Sequence, residues 1–396
     1  MSPSARKQKP RKTPPVSGKG KGGGSPSQDS SSAPLHRLIY EQLLEEIQTG
    51  VYKPGERLPS EALLCERFGA SRITVAKAFQ NLQRDNLVRR RPGSGTYVEK
   101  PAEQSSLKFG LLIPDLGSTD IFEPICQGIM RSPAARSHSL TWGHQNLDET
   151  DKLKATERLC QQYIAQKVDG VFFAPTEYAA MRDEANYRMA AMLQRAGIAV
   201  VLLDRDFERY PGRSGFDMVG IDNHRAGFLL TEHLLKAGAK RILFAVRQNS
   251  ASTVEARMAG YREALFRAQG DCGASVVSGD FENAKFVQQV LNRHKPDGIV
   301  CANDITAARL MKTLVSLGVK VPEDIRMVGI DDVSYAKFLP TPLTTLRQNC
   351  AEIGIVAMDM MLERLRQPEM PVREVLVRCE LVVRESCGMS SLASSK

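Results

Sequence analysis

The chain has 396 residues, of which 42% are hydrophobic and 25% charged, and its net charge is +9. This length allows two or three domains, and the composition is that of an ordinary globular protein. No run of about 18 apolar residues is present, and no apolar stretch follows the first Lys and Arg residues, so neither a membrane-spanning helix nor a signal peptide is expected. We therefore expect a cytoplasmic protein.

The positive charge is concentrated at the front of the chain. Residues 1–33 carry seven Lys or Arg and one Asp, residues 34–100 carry eleven Lys or Arg against eight Asp or Glu, and the remainder is neutral as a group. A basic front on a neutral body indicates contact with a polyanion. Residues 1–33 are rich in Ser, Gly and Pro and are predicted to be disordered. Whether this tail touches phosphates through residues such as Arg6 and Lys7 or is only a solubilising leader stays open.

From residue 34 the pattern predicts three helices followed by a hairpin. Apolar residues recurring every fourth position indicate a first helix that ends at Gly50. Ser60 is predicted to cap a second helix, and Ser71 to cap a third that runs to about residue 85. Two short strands, residues 87–91 and 96–98, are joined by a Pro-Gly-Ser-Gly turn. On the third helix we expect one apolar face, formed by Ile73, Ala76, Phe79 and Leu82.

Three helices and a basic hairpin within residues 34–99 predict a winged helix-turn-helix. The segments around Lys53-Pro54-Gly55-Glu56-Arg57, Ser71-Arg72-Ile73-Thr74-Val75 and Arg91-Pro92-Gly93-Ser94-Gly95-Thr96 resemble the DNA-binding domain of the GntR regulators. An arginine at the start of the third helix can give two hydrogen bonds to a guanine, and basic wing residues can neutralise phosphates. The resemblance implies DNA contacts by Ser71, Arg72, Thr74, Lys77, Arg89, Arg90, Arg91 and Gly93.

Two positions depart from the family pattern. Ala62 and Ala76 stand where family members often carry arginine, so the operator sequence cannot be carried over. Simpler interpretations also exist for the positions that match. Ser71 caps its helix in any case, and Arg72 and the arginine triplet are open to interpretation as solvated surface charges.

After a polar linker at residues 100–107, apolar strands alternate with helical stretches through residues 108–387. Strands buried on both faces read as continuous apolar runs, as residues 109–114, 170–175, 199–204, 242–246, 298–302 and 327–330 do. This pattern predicts an α/β fold: a doubly wound domain of two lobes, with a disordered tail at residues 388–396. The whole chain is thus a winged helix-turn-helix joined to a two-lobed α/β domain.

The sequence offers no catalytic or metal-binding motif. Phosphate-binding glycine loops and nucleophile elbows are missing, and the eight Cys and six His show no metal-ligand spacing. We interpret the cysteines as buried free thiols and expect no metal, no cofactor and no catalytic residue.

Polar residues follow several apolar strands, where ligands of doubly wound sheets bind. Asp204 and Arg205, Asn303, and Asp331 come directly after such strands. With the Thr345-Leu346-Arg347-Gln348 segment, they resemble the effector domain of the LacI/GalR regulators, which is similar to periplasmic sugar-binding proteins. The resemblance implies effector contacts by Phe122, Asp204, Arg205, Arg257, Phe281, Asn303, Asp331 and Gln348.

Each of these effector contacts has an alternative. Asn303 and Asp331 are also suited to capping the next helix, Arg257 to pairing with Glu255 or Glu263, and Phe281 to packing in the core.

The joined domains resemble arabinose-responsive repressors and predict a homodimeric, non-enzymatic regulator that binds double-stranded operator DNA and a small carbohydrate. Three other interpretations stay open. In the first, the regulator responds to a purine or another non-sugar metabolite. In the second, the two-lobed domain is an enzyme fused to a DNA-binding head. In the third, the chain is an architectural DNA binder with no effector.

Overall fold

The fold is taken from a computed structural model that describes residues 35–85, 87–99, 106–114, 120–143, 152–178, 181–270 and 273–389. The predictions for the tails, for most of the linker and for Cys272 lie outside these residues. The chain divides into two compact units, residues 1–103 and 104–396. Each unit is described by itself.

The first unit holds three helices and a two-stranded antiparallel sheet. Ser60 and Ser71 cap the second and third helices with their hydroxyl oxygens, which accept from the backbone N–H of Leu63 and Thr74. Gly69 ends the second helix in the left-handed conformation that favours glycine. The elements are α1 (Leu35–Gln48), α2 (Glu61–Phe68), α3 (Arg72–Arg84), β1 (Val88–Arg91) and β2 (Gly95–Val98).

The predicted apolar face of α3 is right at Phe79 and Leu82 and wrong at Ile73 and Ala76, of which Ala76 is half-buried. Val75, Ala78, Phe79 and Leu82 are buried, whereas Ile73 is 82% exposed. Residues 75, 78, 79 and 82 follow helical spacing, and position 73 lies outside that stripe. The apolar side chain of Ile73 therefore lies on the surface of the first helical turn, next to Arg72.

The second unit alternates strands and helices. In chain order it contains β3 (Lys108–Leu112), α4 (Phe122–Arg131), β4 (Ser139–Trp142), α5 (Lys152–Ala165), β5 (Gly170–Phe173), α6 (Arg182–Arg195), β6 (Ala199–Asp204), β7 (Asp217–Ile221), α7 (Asn223–Lys236), β8 (Ile242–Val246), α8 (Ser252–Gln269), β9 (Ser275–Ser278), α9 (Ala284–His294), β10 (Gly298–Cys301), α10 (Asp304–Ser316), β11 (Arg326–Asp331), β12 (Thr344–Arg347), α11 (Cys350–Arg366), β13 (Glu374–Val377) and β14 (Glu380–Val382).

Two six-stranded sheets form the two lobes of this unit. The first has the strand order β13-β7-β6-β5-β3-β4, and all its pairs are parallel. The second has the order β14-β12-β11-β10-β8-β9, in which only β14 is antiparallel to its neighbour. The prediction of a doubly wound, two-lobed α/β domain is confirmed.

The backbone passes between the lobes at three points. It leaves the first sheet after β7 and enters α7, returns after β12 into α11, and crosses again from β13 to β14. Both lobes are therefore built from separate stretches of sequence, and their relative position is set by three short hinge segments.

Each lobe contains one pair of helices in unusually close contact. A Cβ atom on Gly227 of α7 would lie 2.0 Å from the carbonyl oxygen of Arg257 on α8, and one on Gly260 would lie 1.9 Å from that of His224. Glycine is thus required for this approach of the two backbones. The close pairing fixes the position of α8 relative to the start of α7, where Asn223 lies.

None of the described helices has the length and apolar character needed to cross a membrane. The seven described cysteines are free thiols, five buried and two half-buried.

Candidate nucleic-acid interface and effector site

The first turn of α3 presents the side chains predicted to read DNA. The Ser71 hydroxyl accepts from the Thr74 N–H at 3.2 Å and lies 2.8 Å from the Thr74 hydroxyl, so the expected cap is present. Arg72 is exposed, and within the described residues its guanidinium has no ion-pair or hydrogen-bond partner. An exposed helix start with a free arginine suits docking in the major groove.

The wing brings the arginine triplet to the surface, but its members differ in their partners. The Arg89 side chain pairs with Glu99, and the Arg90 guanidinium lies 3.3 Å from Glu61. The Arg91 guanidinium lies 4.9 Å from the centre of the Tyr97 ring. Gly93, with φ of 74°, forms the turn between the strands.

Lys77 is exposed on α3. The structure thus collects the predicted DNA-binding side chains on one small unit, with Arg72 and Lys77 free of ion pairs among the described residues.

In the second unit, the ends of β5 and β6 enclose a buried guanidinium. Arg205 is 5% exposed, and its Nε donates to Asp204 Oδ2 at 3.0 Å. Its other edge lies 2.6 Å from Glu177, which follows β5. The Phe122 ring lies 5.3 Å from the same guanidinium. A charge this deeply buried requires such partners, so the Arg205 guanidinium holds Asp204 and Glu177 together at the ends of these strands.

Arg257 is the second buried cation of this region. It is 4% exposed, and its guanidinium donates to Asn223 Oδ1 at 2.8 Å and to the carbonyl oxygen of Ala302 at 2.6 Å. It therefore does not pair with Glu255 or Glu263. The carboxylate of Glu263 contacts His224 and Arg267 instead.

Asp331 ends β11 in a backbone conformation that side chains rarely adopt, with φ of 123°. Its carboxylate accepts from the Gln348 amide at 2.7 Å. The pKa of Asp331 is raised to about 7: burial is the largest cause, Arg257 and the Gln348 hydrogen bond oppose it, and the carboxylates of Asp204 and Glu177 add to it. The strand ends of the two lobes therefore lie near enough for their charges to interact.

Among the described residues, the Thr176 hydroxyl and two oxygen atoms that can only accept have no hydrogen-bond partner in this region. The two acceptor-only atoms are the informative ones. They are Asp204 Oδ1, in the first lobe, and Gln348 Oε1, in the second, and both are fully buried. Both are hydrogen-bond acceptors, and an unsatisfied buried acceptor costs roughly 1–3 kcal/mol. Hydroxyl groups of a ligand between the lobes would supply the missing donors.

The lobes also contact each other directly, through a set of residues that we name the interlobe latch: Tyr178, Arg247, Asn249 and Asn303. The Asn303 amide donates to the Tyr178 hydroxyl at 3.0 Å, and the Tyr178 N–H donates to the Asn249 carbonyl oxygen at 2.8 Å. The Arg247 guanidinium lies 4.3 Å from the centre of the Tyr178 ring.

Asn303 has a second task. Its Oδ1 caps α10 by accepting from the Thr306 N–H at 3.0 Å and the Thr306 hydroxyl at 2.6 Å. Both ends of this side chain are thus engaged, one in the cap and one in the latch, and its effector contact stays a prediction.

The two predicted aromatic contacts are both buried. Phe122 packs in the first lobe under Arg205, and Phe281 is 2% exposed, packs in the core of the second lobe and meets Phe286 edge to face at 5.8 Å. These surroundings favour the packing alternative for Phe281. The six polar residues, by contrast, lie at the strand ends or on α8 beside them.

Sequence reasoning missed Glu177, Tyr178 and Asn223. All three follow a strand, Glu177 and Tyr178 after β5 and Asn223 after β7. The rule that identified Asp204, Asn303 and Asp331 would have found Glu177 and Tyr178 if it had been applied to the strand at residues 170–175. Asn223 had no such signal, because β7 was not among the predicted strands.

Replacing Tyr178 by phenylalanine is expected to weaken effector binding about fivefold. The change removes the hydroxyl that joins the lobes, and a typical intramolecular hydrogen bond contributes about 1 kcal/mol net, which corresponds to about a fivefold change in an equilibrium constant. Stopped-flow binding of the effector should show a faster dissociation rate as the closed state becomes less stable.

Tyr163→Phe provides the matched control. The Tyr163 hydroxyl donates to the Leu111 carbonyl oxygen at 2.9 Å, within the first lobe only. This variant should unfold at a lower temperature and keep its effector affinity. Equal losses of affinity in the two variants would contradict a role for Tyr178 in joining the lobes.

Comparisons with known proteins agree with both units. Residues 35–98 match the family described as "Bacterial regulatory proteins, gntR family", and residues 231–387 match a periplasmic binding protein-like domain. The chain is therefore a transcription regulator that joins a DNA-binding domain to a ligand-binding domain. In particular, it combines a winged helix-turn-helix of the GntR family with a two-lobed domain of the periplasmic-binding-protein type.

The chain is similar to curated repressors of sugar metabolism. The chain is 27% identical to an arabinose metabolism transcriptional repressor of Geobacillus stearothermophilus, over 89% of this chain and 97% of that protein. It is 28% identical to the ribose operon repressor of Escherichia coli K12, over 70% and 81% of the two chains. A LacI family regulator from Enterococcus faecium, solved with bound ribose, superposes with a TM-score of 0.56 at 22% identity, over 70% of this chain and 98% of that one. This last likeness establishes the fold of the second unit.

Proposed function

We propose that the chain is a repressor of transcription that acts as a homodimer in the cytoplasm and leaves its operator when a small sugar binds between the two lobes. The first unit contacts the DNA through the start of α3 and the wing. A dimer would place two such units on a pseudo-palindromic site. The relatives named above, which are repressors of arabinose and ribose genes, support this proposal.

One observation carries the choice of a sugar. Asp204 Oδ1 and Gln348 Oε1 are buried acceptors from opposite lobes that lack donors. A polyol has several hydroxyl donors and can satisfy both at once, and it holds the lobes together by doing so. A sugar acts on the DNA unit only if the closed and open arrangements differ in operator affinity, because a ligand shifts an equilibrium only through its different affinity for the two states.

The same surroundings favour a sugar over a purine. A flat base is usually held between aromatic faces, but Phe122 lies against Arg205, and Phe281 is packed against Phe286 in the core. We therefore propose a regulator with a carbohydrate effector and no catalytic step of its own.

Operator release tests the proposal. DNA selected from a random library by the purified protein supplies the operator, and its affinity is measured by fluorescence anisotropy as pentoses, hexoses and their phosphates are added. At least one sugar should lower the operator affinity tenfold or more. Unchanged affinity across the whole panel would contradict a sugar effector, and binding of the selected DNA no tighter than random DNA would contradict sequence-specific repression.

A further inference from the structure

Glu177 shares a buried guanidinium with Asp204. Glu177 Oε1 lies 2.6 Å from one terminal nitrogen of Arg205, and Asp204 Oδ2 accepts from the Nε of Arg205 at 3.0 Å. One positive charge therefore serves two carboxylates. Since Arg205 is 5% exposed, water does little to screen this group of charges.

A third carboxylate faces the same space from the other lobe. Asp204 and Glu177 both raise the pKa of Asp331, beyond the larger effect of its burial, and Arg257 lowers it. A fourth carboxyl group, that of Asp304, is fully buried and interacts electrostatically with Asp331, and it accepts hydrogen bonds from the Thr345 hydroxyl and the Val333 N–H. Burial and neighbouring carboxylates raise the pKa values of both Asp331 and Asp304, so these surroundings disfavour a further negative charge.

Two of the three guanidiniums near the strand ends already have polar partners, so few of their donors are free for an anion. Arg205 is held by its two carboxylates, and Arg257 is held by Asn223 and the Ala302 carbonyl oxygen. Arg247 has no carboxylate partner among the described residues, but it is stacked on the Tyr178 ring in the interlobe latch.

The unsatisfied atoms, Asp204 Oδ1 and Gln348 Oε1, require donors. A phosphate group carries a charge of roughly −1.5 to −2 near neutral pH and brings acceptor oxygens.

We infer that Glu177 is a specificity-determining residue that, together with Asp204 and Asp331, restricts the effector to uncharged sugars and rejects phosphorylated sugars and sugar acids. This inference rests on the proposed function and refines its ligand class. Its consequence is a place in a reaction sequence, because an effector without phosphate precedes the phosphoryl transfer that would consume it. The regulator then reports the sugar as it enters the cell.

Calorimetric binding of paired ligands tests the inference. The pairs are D-ribose and D-ribose 5-phosphate, L-arabinose and L-arabinose 5-phosphate, and D-glucose and D-glucose 6-phosphate. For the native protein, the neutral sugar of any pair that binds should bind at least tenfold more tightly than its phosphate. Glu177→Gln removes one carboxylate and frees one edge of Arg205. It should lower the ratio of the neutral-sugar affinity to the phosphate affinity at least tenfold.

Two further variants separate charge from structure. Glu177→Asp keeps the charge and should keep the rejection of phosphates. Glu157→Gln makes the same chemical change at a surface pair of the first lobe, where Glu157 lies 3.2 Å from Arg188, and should leave the ratio unchanged.

Three other results would contradict the inference, the role of Glu177 or the proposed function. A phosphate that binds the native protein as tightly as its parent sugar overturns the inference and leaves a sugar effector standing. An unchanged ratio in folded Glu177→Gln removes Glu177 as the determinant. If no sugar of either kind binds, the proposed function fails and the inference fails with it.

Discussion

Replacing Asp204 by asparagine is expected to weaken effector binding about 10- to 100-fold and to leave the protein bound to its operator in the presence of sugar. Asp204 is 2% exposed, one of its oxygens accepts from Arg205, and the other has no partner in the part of the chain that the structure describes. A hydrogen bond to a charged group contributes about 1.5–3 kcal/mol, and each 1.4 kcal/mol is tenfold in affinity. Asparagine keeps the shape and tolerates the left-handed backbone at this position, where φ is 68°.

The measurement is operator release as a function of sugar concentration, with calorimetry of sugar binding beside it. Operator affinity without sugar should stay at the native value, because the substitution lies in the second unit. Asp206→Asn is the matched control. The Asp206 carboxylate accepts from the backbone of Glu208 and from both donors of Ser214, so this variant should lose stability but keep its response to sugar. A native response from Asp204→Asn would contradict the effector site as described.

Arg72→Ala is expected to weaken binding to the operator by about 10- to 100-fold and to change binding to random DNA much less. A bidentate contact between arginine and guanine provides roughly 1–3 kcal/mol of discrimination against other bases. Arg72 stands free at the start of α3, where such a contact is made. Titrations of operator and random DNA at one salt concentration give the ratio of the two affinities.

Arg84→Ala serves as the control, because Arg84 is exposed at the far end of the same helix and lies 3.3 Å from Asp85. It should leave the ratio of affinities near the native value. A parallel loss of operator and random-DNA binding in Arg72→Ala would assign Arg72 to phosphate contact. That result would leave Ile73, the exposed apolar neighbour on the same turn, as the side chain best placed to read a base, through a thymine methyl group.

Structural features that depend on local sequence were predicted well. The continuous apolar strands and the polar residues that follow them predicted the α/β lobes and the places where Asp204, Asn303 and Asp331 lie. The serine caps of α2 and α3 were predicted because capping is local, requiring only a hydroxyl three residues before the amide that it accepts from.

Features that depend on tertiary packing were not predicted. Ile73 was assigned to the buried face because an apolar residue at a plausible spacing does not reveal which side of a short helix meets the core. The partners of Arg257, Asn223 and a backbone carbonyl, lie 34 and 45 positions away, so no local pattern points to them. Tyr178 gains its role only where the two lobes meet, and Glu177 gains its role from Arg205, which follows the neighbouring strand of the same lobe.

The last of the three hinge crossings, from β13 to β14, has a consequence for truncated forms of the chain. Residues 374–382 supply an edge strand to each of the two sheets, β13 to the first and β14 to the second. A premature stop codon shortly after α11 would therefore remove an edge strand from both lobes at once, even though more than nine-tenths of the 396 residues would precede it. In a mutational survey of the gene, we expect such late truncations to group with variants that damage both lobes of the second unit rather than with variants that damage one.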